Sequence, residues 1–114
     1  YRFYLNRLGV RMRFLILISS FLISTLCAAQ EYEVEQKNKM FSVKEITLKK
    51  GDTVHFKNSD KIFHNVFSLS DTQFFDLGSY PKGESRAVKF ETPGKVEVEC
   101  AIHPQMYMVI DVKE

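Results

Sequence analysis

Three side chains able to hold a soft metal ion fall within seven residues of one another, in the run Cys100-Ala-Ile-His103-Pro-Gln-Met106. A thiol, an imidazole and a thioether at that spacing read as a metal loop, because sulfur donors are soft and imidazole is borderline. The lead-in supports this. Lys95-Val-Glu-Val-Glu99 alternates apolar and charged residues, the period of a strand with one buried face, and Cys100 keeps the parity of Val96 and Val98. The thiol should therefore point into the apolar interior. Pro104 disfavours helical continuation and turns the chain back. Two other readings compete: an inert buried cysteine, and a thiol nucleophile with His103 as its base. The first loses weight because two more donors follow at close range. The second needs an accessible, low-pKa thiol, which inward parity does not provide.

The loop must be positioned by the rest of the chain, and the first quarter is not expected to take part. Arg2, Arg7, Arg11 and Arg13, with no acidic residue among them, precede an apolar run over 14–26 and then Cys27-Ala-Ala29. That order is the pattern of a secretory signal peptide, expected over residues 1–29, or from Met12 in a more compact form, with cleavage after Ala29. The apolar run is short of the ~20 residues a membrane span requires, so no stable membrane insertion is expected after cleavage. Its removal changes the charge argument. It takes four of the sixteen basic residues and none of the fourteen acidic ones, so a net charge of +2 becomes −2. No basic stripe with interleaved aromatics survives, which excludes nucleic-acid binding. The remaining domain, residues 30–114, carries one cysteine, Cys100. Exported proteins usually pair their thiols, so an odd one invites a chemical explanation.

The domain reads as short strands over 32–36, 45–49, 53–57, 64–69, 86–90, 95–100 and 108–112. Turn signals such as Lys50-Gly-Asp52 and Thr92-Pro-Gly94 separate them, and 70–84 reads as a longer connection. No helical period appears. The expected fold is an all-β, Greek-key antiparallel sandwich. His55 falls on the polar side of its strand and reads as a solvated surface residue. His64 opens a β-rich run after the turn-like Asn58-Ser-Asp-Lys61. It matters only if the fold brings residues 58–64 beside 100–106, as Greek-key loops at one end of a sandwich allow. Met40 and Met108 have ordinary readings as edge or core fillers.

Taken together, Gly51-Asp-Thr-Val-His-Phe-Lys-Asn58, His64-Asn-Val66 and Cys100-x-x-His103-Pro-x-Met106 resemble the cupredoxins, small blue-copper proteins of the plastocyanin/amicyanin type. The likeness covers nearly all of 31–114. Phe75-Asp-Leu-Gly-Ser-Tyr-Pro-Lys-Gly-Glu-Ser85 is further similar to bacterial plastocyanin-like proteins of the methylamine-utilisation kind. The resemblance implies one copper ion held by His64, Cys100 and His103, with Met106 as a weak axial donor. Met108 is the alternative, but the chain beyond Met106 suits the longer loop poorly. Asn65 is either a hydrogen-bonding tie between the two ligand loops or an ordinary strand-start residue. Phe63 and Ile102 stand where relatives carry proline before each ligand histidine; both are apolar and are expected to keep the site dry.

The resemblance implies a periplasmic or otherwise extracytoplasmic monomer that is not an enzyme. Such a protein carries single electrons between redox protein partners. A copper-binding or delivery protein without an electron-carrier role would use the same ligands.

Overall fold

The computed structural model of the chain describes residues 28–114, so all of the expected signal segment except Ala28 and Ala29 lies outside the described residues. Nine strands follow one another: β1 (Glu31–Lys37), β2 (Met40–Phe41), β3 (Glu45–Lys49), β4 (Thr53–Asn58), β5 (His64–Ser68), β6 (Phe75–Tyr80), β7 (Ser85–Lys89), β8 (Gly94–Cys100) and β9 (Tyr107–Lys113). They form a four-stranded sheet in the order β2-β1-β4-β7 and a five-stranded sheet in the order β3-β9-β8-β5-β6. No helix of the described residues is long and apolar enough to cross a membrane.

Alternation builds the interior. Val54 and Phe56 of β4, Val96 and Val98 of β8, and Met108 and Ile110 of β9 are all fully buried, while the residues between them face outward. Each such burial stabilises the fold by roughly 1.5–3 kcal/mol relative to exposure. The two inner faces meet in one cluster that also takes in Phe90, Tyr80 and Cys100.

Two features differ from the expected layout. The β1–β4 and β3–β9 pairs run parallel within an otherwise antiparallel sandwich. The stretch expected as a plain connection contains β6, which pairs with β5 through a register shift between Asn65 and Phe67. Its pattern is masked for a physical reason. Gly78 takes a left-handed φ of 69°, the Asp76 carboxylate accepts from the Gly78 amide at 2.8 Å, and strand alternation is broken there. A bulge with a local Asx bond looks like a turn when read along the chain alone.

At one end of the sandwich a buried polar chain joins the sheets. Gln36 Nε2 donates to Tyr80 Oη at 2.8 Å, and that hydroxyl donates to the Phe56 carbonyl at 2.7 Å. Burial raises the Tyr80 phenol to about 12, so it stays a protonated donor. Asn58 adds a second tie, its Nδ2 donating to the carbonyls of Ile62 and Tyr80, both at 2.9 Å. These bonds fix the connection that leads into His64.

Candidate metal centre

Cys100 is the last residue of β8 and lies opposite Val66 of β5, the last rung before the chain leaves the sheet. His64 opens β5 two residues earlier, on the same inward face as Val66. The ladder therefore sets thiol and imidazole on neighbouring strands, both buried: Cys100 is 3% exposed and His64 0%. Residues 101–106 then fold back over them. Met106 N donates to the His103 carbonyl at 2.9 Å, and Cys100 N donates to the Met106 carbonyl at 3.3 Å, so the loop is clamped at its base. The clamp returns His103 toward the thiol.

The result is a compact triangle. Cys100 Sγ lies 3.9 Å from His64 Nδ1 and 3.7 Å from His103 Nδ1, and the three donor atoms lie within 4.8 Å of one another. The imidazoles meet edge to face, their centroids 4.9 Å apart. Three donors around a first-row metal at bond lengths of ~2.0–2.3 Å stand ~3.6–3.8 Å apart in a trigonal plane, so the spacing fits one ion. Two imidazoles and a thiolate are also the donor set that copper takes in electron-transfer sites. Burial, together with the charges of His64 and Lys39, holds the His103 pKa below its usual value, against a smaller opposing pull from Asp60. At neutral pH the ring is thus uncharged and has a free lone pair.

Met106 is fully buried in the clamped loop. Met108 is equally buried but is fixed in β9 opposite Val98, part of the core ladder. His55 faces outward, as expected, with its Nε2 2.9 Å from Glu31 Oε1. Asn65 ties no loops together: it pairs with Ser79 in the sheet, and its buried Oδ1 has no partner among the described residues. Phe63 and Ile102 do not seal the site by burial. They are 56% and 58% exposed, each standing just before one of the two histidines in the chain.

One contributor is not foreseen from the ligand spacing. Asp60 Oδ2 lies 2.6 Å from His64 Nε2, and the same carboxylate accepts from the backbone amides of Asn38 at 2.7 Å and Lys39 at 3.0 Å. Burial pushes the Asp60 pKa up, but these bonds outweigh it and hold the carboxyl below its ordinary value. A carboxylate on Nε2 fixes the proton there and leaves Nδ1 free toward the sulfur. Asp60 is aimed by its own amide, which donates to Asn58 Oδ1 at 2.8 Å. Its local signal was an acid four residues before His64. Its partners at 38 and 39, however, lie in a distant hairpin turn.

An all-β sandwich with this triangle at one end defines a class, the small copper proteins, and comparison with known proteins agrees. The sequence model of the copper binding proteins, plastocyanin/azurin family, matches residues 28–113. A curated relative, methylamine utilization protein MauL of Methylorubrum extorquens, is 31% identical over 86 residues, or 75% of this chain and 75% of its own. Among solved structures, a methionine-to-alanine variant of amicyanin in its Cu(I) form superposes with a TM-score of 0.68. It is 20% identical, over 79% of this chain and 87% of that one. A purple cupredoxin from Nitrosopumilus maritimus gives 0.64 at 21% identity, over 75% and 100%. The copper-containing nitrite reductase of Thermus scotoductus gives 0.70 at 24% identity, over 80% of this chain but only 24% of that longer one.

The protein belongs to the plastocyanin/azurin family of copper-binding proteins. Its cofactor is copper, and His64, Cys100 and His103 are gathered where a copper site requires them.

Proposed function

We propose that the protein is an exported, monomeric carrier of single electrons, in which His64, Cys100, His103 and Met106 would hold one copper ion. The observation that carries this reading is the preformed triangle, with Sγ–Nδ1 distances of 3.7 and 3.9 Å and one imidazole locked by a carboxylate. Bound copper supplies exchange between Cu(I) and Cu(II). The chain's own part is to keep the donors still: ligands held by sheet ladders, a clamped loop and Asp60 shift little when the charge at the centre changes. Such rigidity favours a carrier over a delivery protein, which must surrender its ligands. His103, less buried than His64 and preceded by the exposed Ile102, supplies the contact through which an electron enters or leaves. Residues 1–29 would act as the export signal and deliver the domain outside the cytoplasm, where it passes electrons between partners rather than catalysing a reaction of its own.

The test is an absorption and paramagnetic-resonance spectrum of the Cu(II)-loaded protein, followed by electrochemistry. An intense visible thiolate-to-copper band and reversible one-electron cycling are expected. A colourless, weakly bound complex, or copper that leaves on reduction to a Cu(I) acceptor, would overturn the carrier reading.

A further inference from the structure

Beside Asp60, on the outer side of the His64 contact, a depression of about 450 Å³ is lined by Lys37, Lys39, Lys61 and Lys82, with Ile62 on its wall. The four lysines come from three separate segments: Lys37 and Lys39 from the β1–β2 hairpin, Lys61 from the β4–β5 connection and Lys82 from the β6–β7 connection. Convergence of like charges from distant parts of a chain is unfavourable unless something compensates for it. Nothing in the depression does. Its one acid, Asp60, is 12% exposed at the side chain and already engaged with two backbone amides and His64. Among the described residues, the ion pairs made by basic side chains use Arg86, Lys89, Lys95 and Lys113, besides His55 and His64, and none of these four lysines.

The local sign also opposes the whole. Residues 28–114 hold twelve Lys and Arg against fourteen Asp and Glu, a net charge of −2. The cationic surface adjoins the metal centre: Asp60 spans from the depression to His64 at 2.6 Å, and the charge of Lys39 is felt at His103. Ile62, 39% exposed, continues this surface toward Phe63. The amides of Asn38 and Lys39 are already bonded to Asp60, so they do not converge on a small anion. What remains is a broad set of exposed ammonium groups around an apolar wall, which suits a protein face better than a free phosphate.

We propose that this depression is the docking surface for a redox partner protein whose contact face is rich in carboxylates. The lysines steer that partner onto the metal end and so overcome the repulsion expected between two acidic proteins. The proposal rests on the electron-carrier reading and names the partner's chemistry.

The experiment uses stopped-flow oxidation of the reduced, copper-loaded protein by hexacyanoferrate(III). One electron leaves the protein and reduces the anion to hexacyanoferrate(II), with no proton transferred. The rate is followed from low salt to about 0.2 M, where screening is strong. Steering by the lysines makes the rate fall about tenfold over that range, whereas a net charge of −2 acting alone makes it rise. The variant carrying Lys37→Glu, Lys39→Glu, Lys61→Glu and Lys82→Glu should reverse the trend. Its Gln counterpart should also turn the fall into a rise, though a weaker one, whereas Lys49→Glu with Lys113→Glu at the far end, which shifts the net charge by the same amount, should keep the rate falling with salt. The visible spectrum of each variant checks its fold.

An octaglutamate peptide should slow the reaction at concentrations where inorganic phosphate of matched ionic strength does not. A rate that rises with salt, lysine variants that match the unaltered protein, or phosphate that protects as well as the peptide would each overturn the docking surface. Those results, in a protein that still cycles reversibly, would leave the carrier reading standing. Absence of the blue band or of cycling would remove both.

Discussion

Strand β4 begins and ends beside an aspartate, and the two perform related work with different consequences. Asp52, just before β4, accepts from the amides of Gln30 at 2.8 Å and Lys49 at 2.9 Å, tying the start of the domain to a tight turn. Asp60, just after β4, accepts from the amides of Asn38 and Lys39 in the same way, and adds His64. Both carboxyls are held below their ordinary pKa. For Asp52 the bonds from Gln30 and Lys49 dominate; for Asp60 burial opposes the bonds and loses. A single device, a carboxylate collecting stray backbone donors, gains a second use when one of its oxygens also reaches the His64 imidazole beside Cys100. The metal end is thus built from ordinary turn chemistry with one added partner.

The contrast can be broken at several points. The largest change is expected from Cys100→Ser, which removes the thiolate: the visible band should vanish entirely, while Asp52→Asn at the opposite end should leave it intact. Next, Asp60→Ala should weaken copper binding by roughly 10–100-fold, measured by chelator competition, because the His64 tautomer and ring orientation are released. Asp60→Asn, which keeps an acceptor, should fall between. Tyr80→Phe strips the hydroxyl that joins Gln36 to the Phe56 carbonyl and should cost about 1–3 kcal/mol in urea unfolding of the apo protein, with the spectrum retained.

A smaller effect follows acidification. Folding lowers the Asp52 pKa below its ordinary 3.8, so its stabilising contribution is complete above that value and fades as pH falls through the lower folded one. Asp52→Asn should therefore flatten the stability of the apo protein below about pH 4 and lower it above, read from denaturant midpoints against pH. The smallest change is expected from His55→Ala: its partner Glu31 is exposed, and neither the colour nor copper affinity should move.

Much of this arrangement was legible along the chain, and the reasons differ by residue. Parity alone placed Cys100 on the buried side, because β8 alternates without interruption from Val96 onward. The sandwich followed from strand length and turn spacing. His64 was ambiguous on local grounds and joined the set through the resemblance; the structure sets it beside Cys100 through the Val66–Cys100 rung. The β6 strand escaped because Gly78 and the Asp76 bond imitate a loop. Parallel pairing of β1 with β4 depends on segments some twenty residues apart, and no local pattern encodes such a partnership. Asp60 escaped for a like reason: its carboxylate gains meaning only when a distant hairpin turn delivers two amides to it. Phe63 and Ile102, each just before one of the two histidines, are exposed, and apolar side chains at a rim provide contact area for another surface.

Cys100 is the lone thiol of residues 28–114 and is 3% exposed. The metal end therefore contains its own reporter of breathing. In metal-free protein, an alkylating reagent can reach that sulfur only when residues 101–106 or the β5–β8 rung transiently swing apart. The labelling rate at saturating reagent then counts those openings directly, at the part of the sandwich where they bear on ion retention.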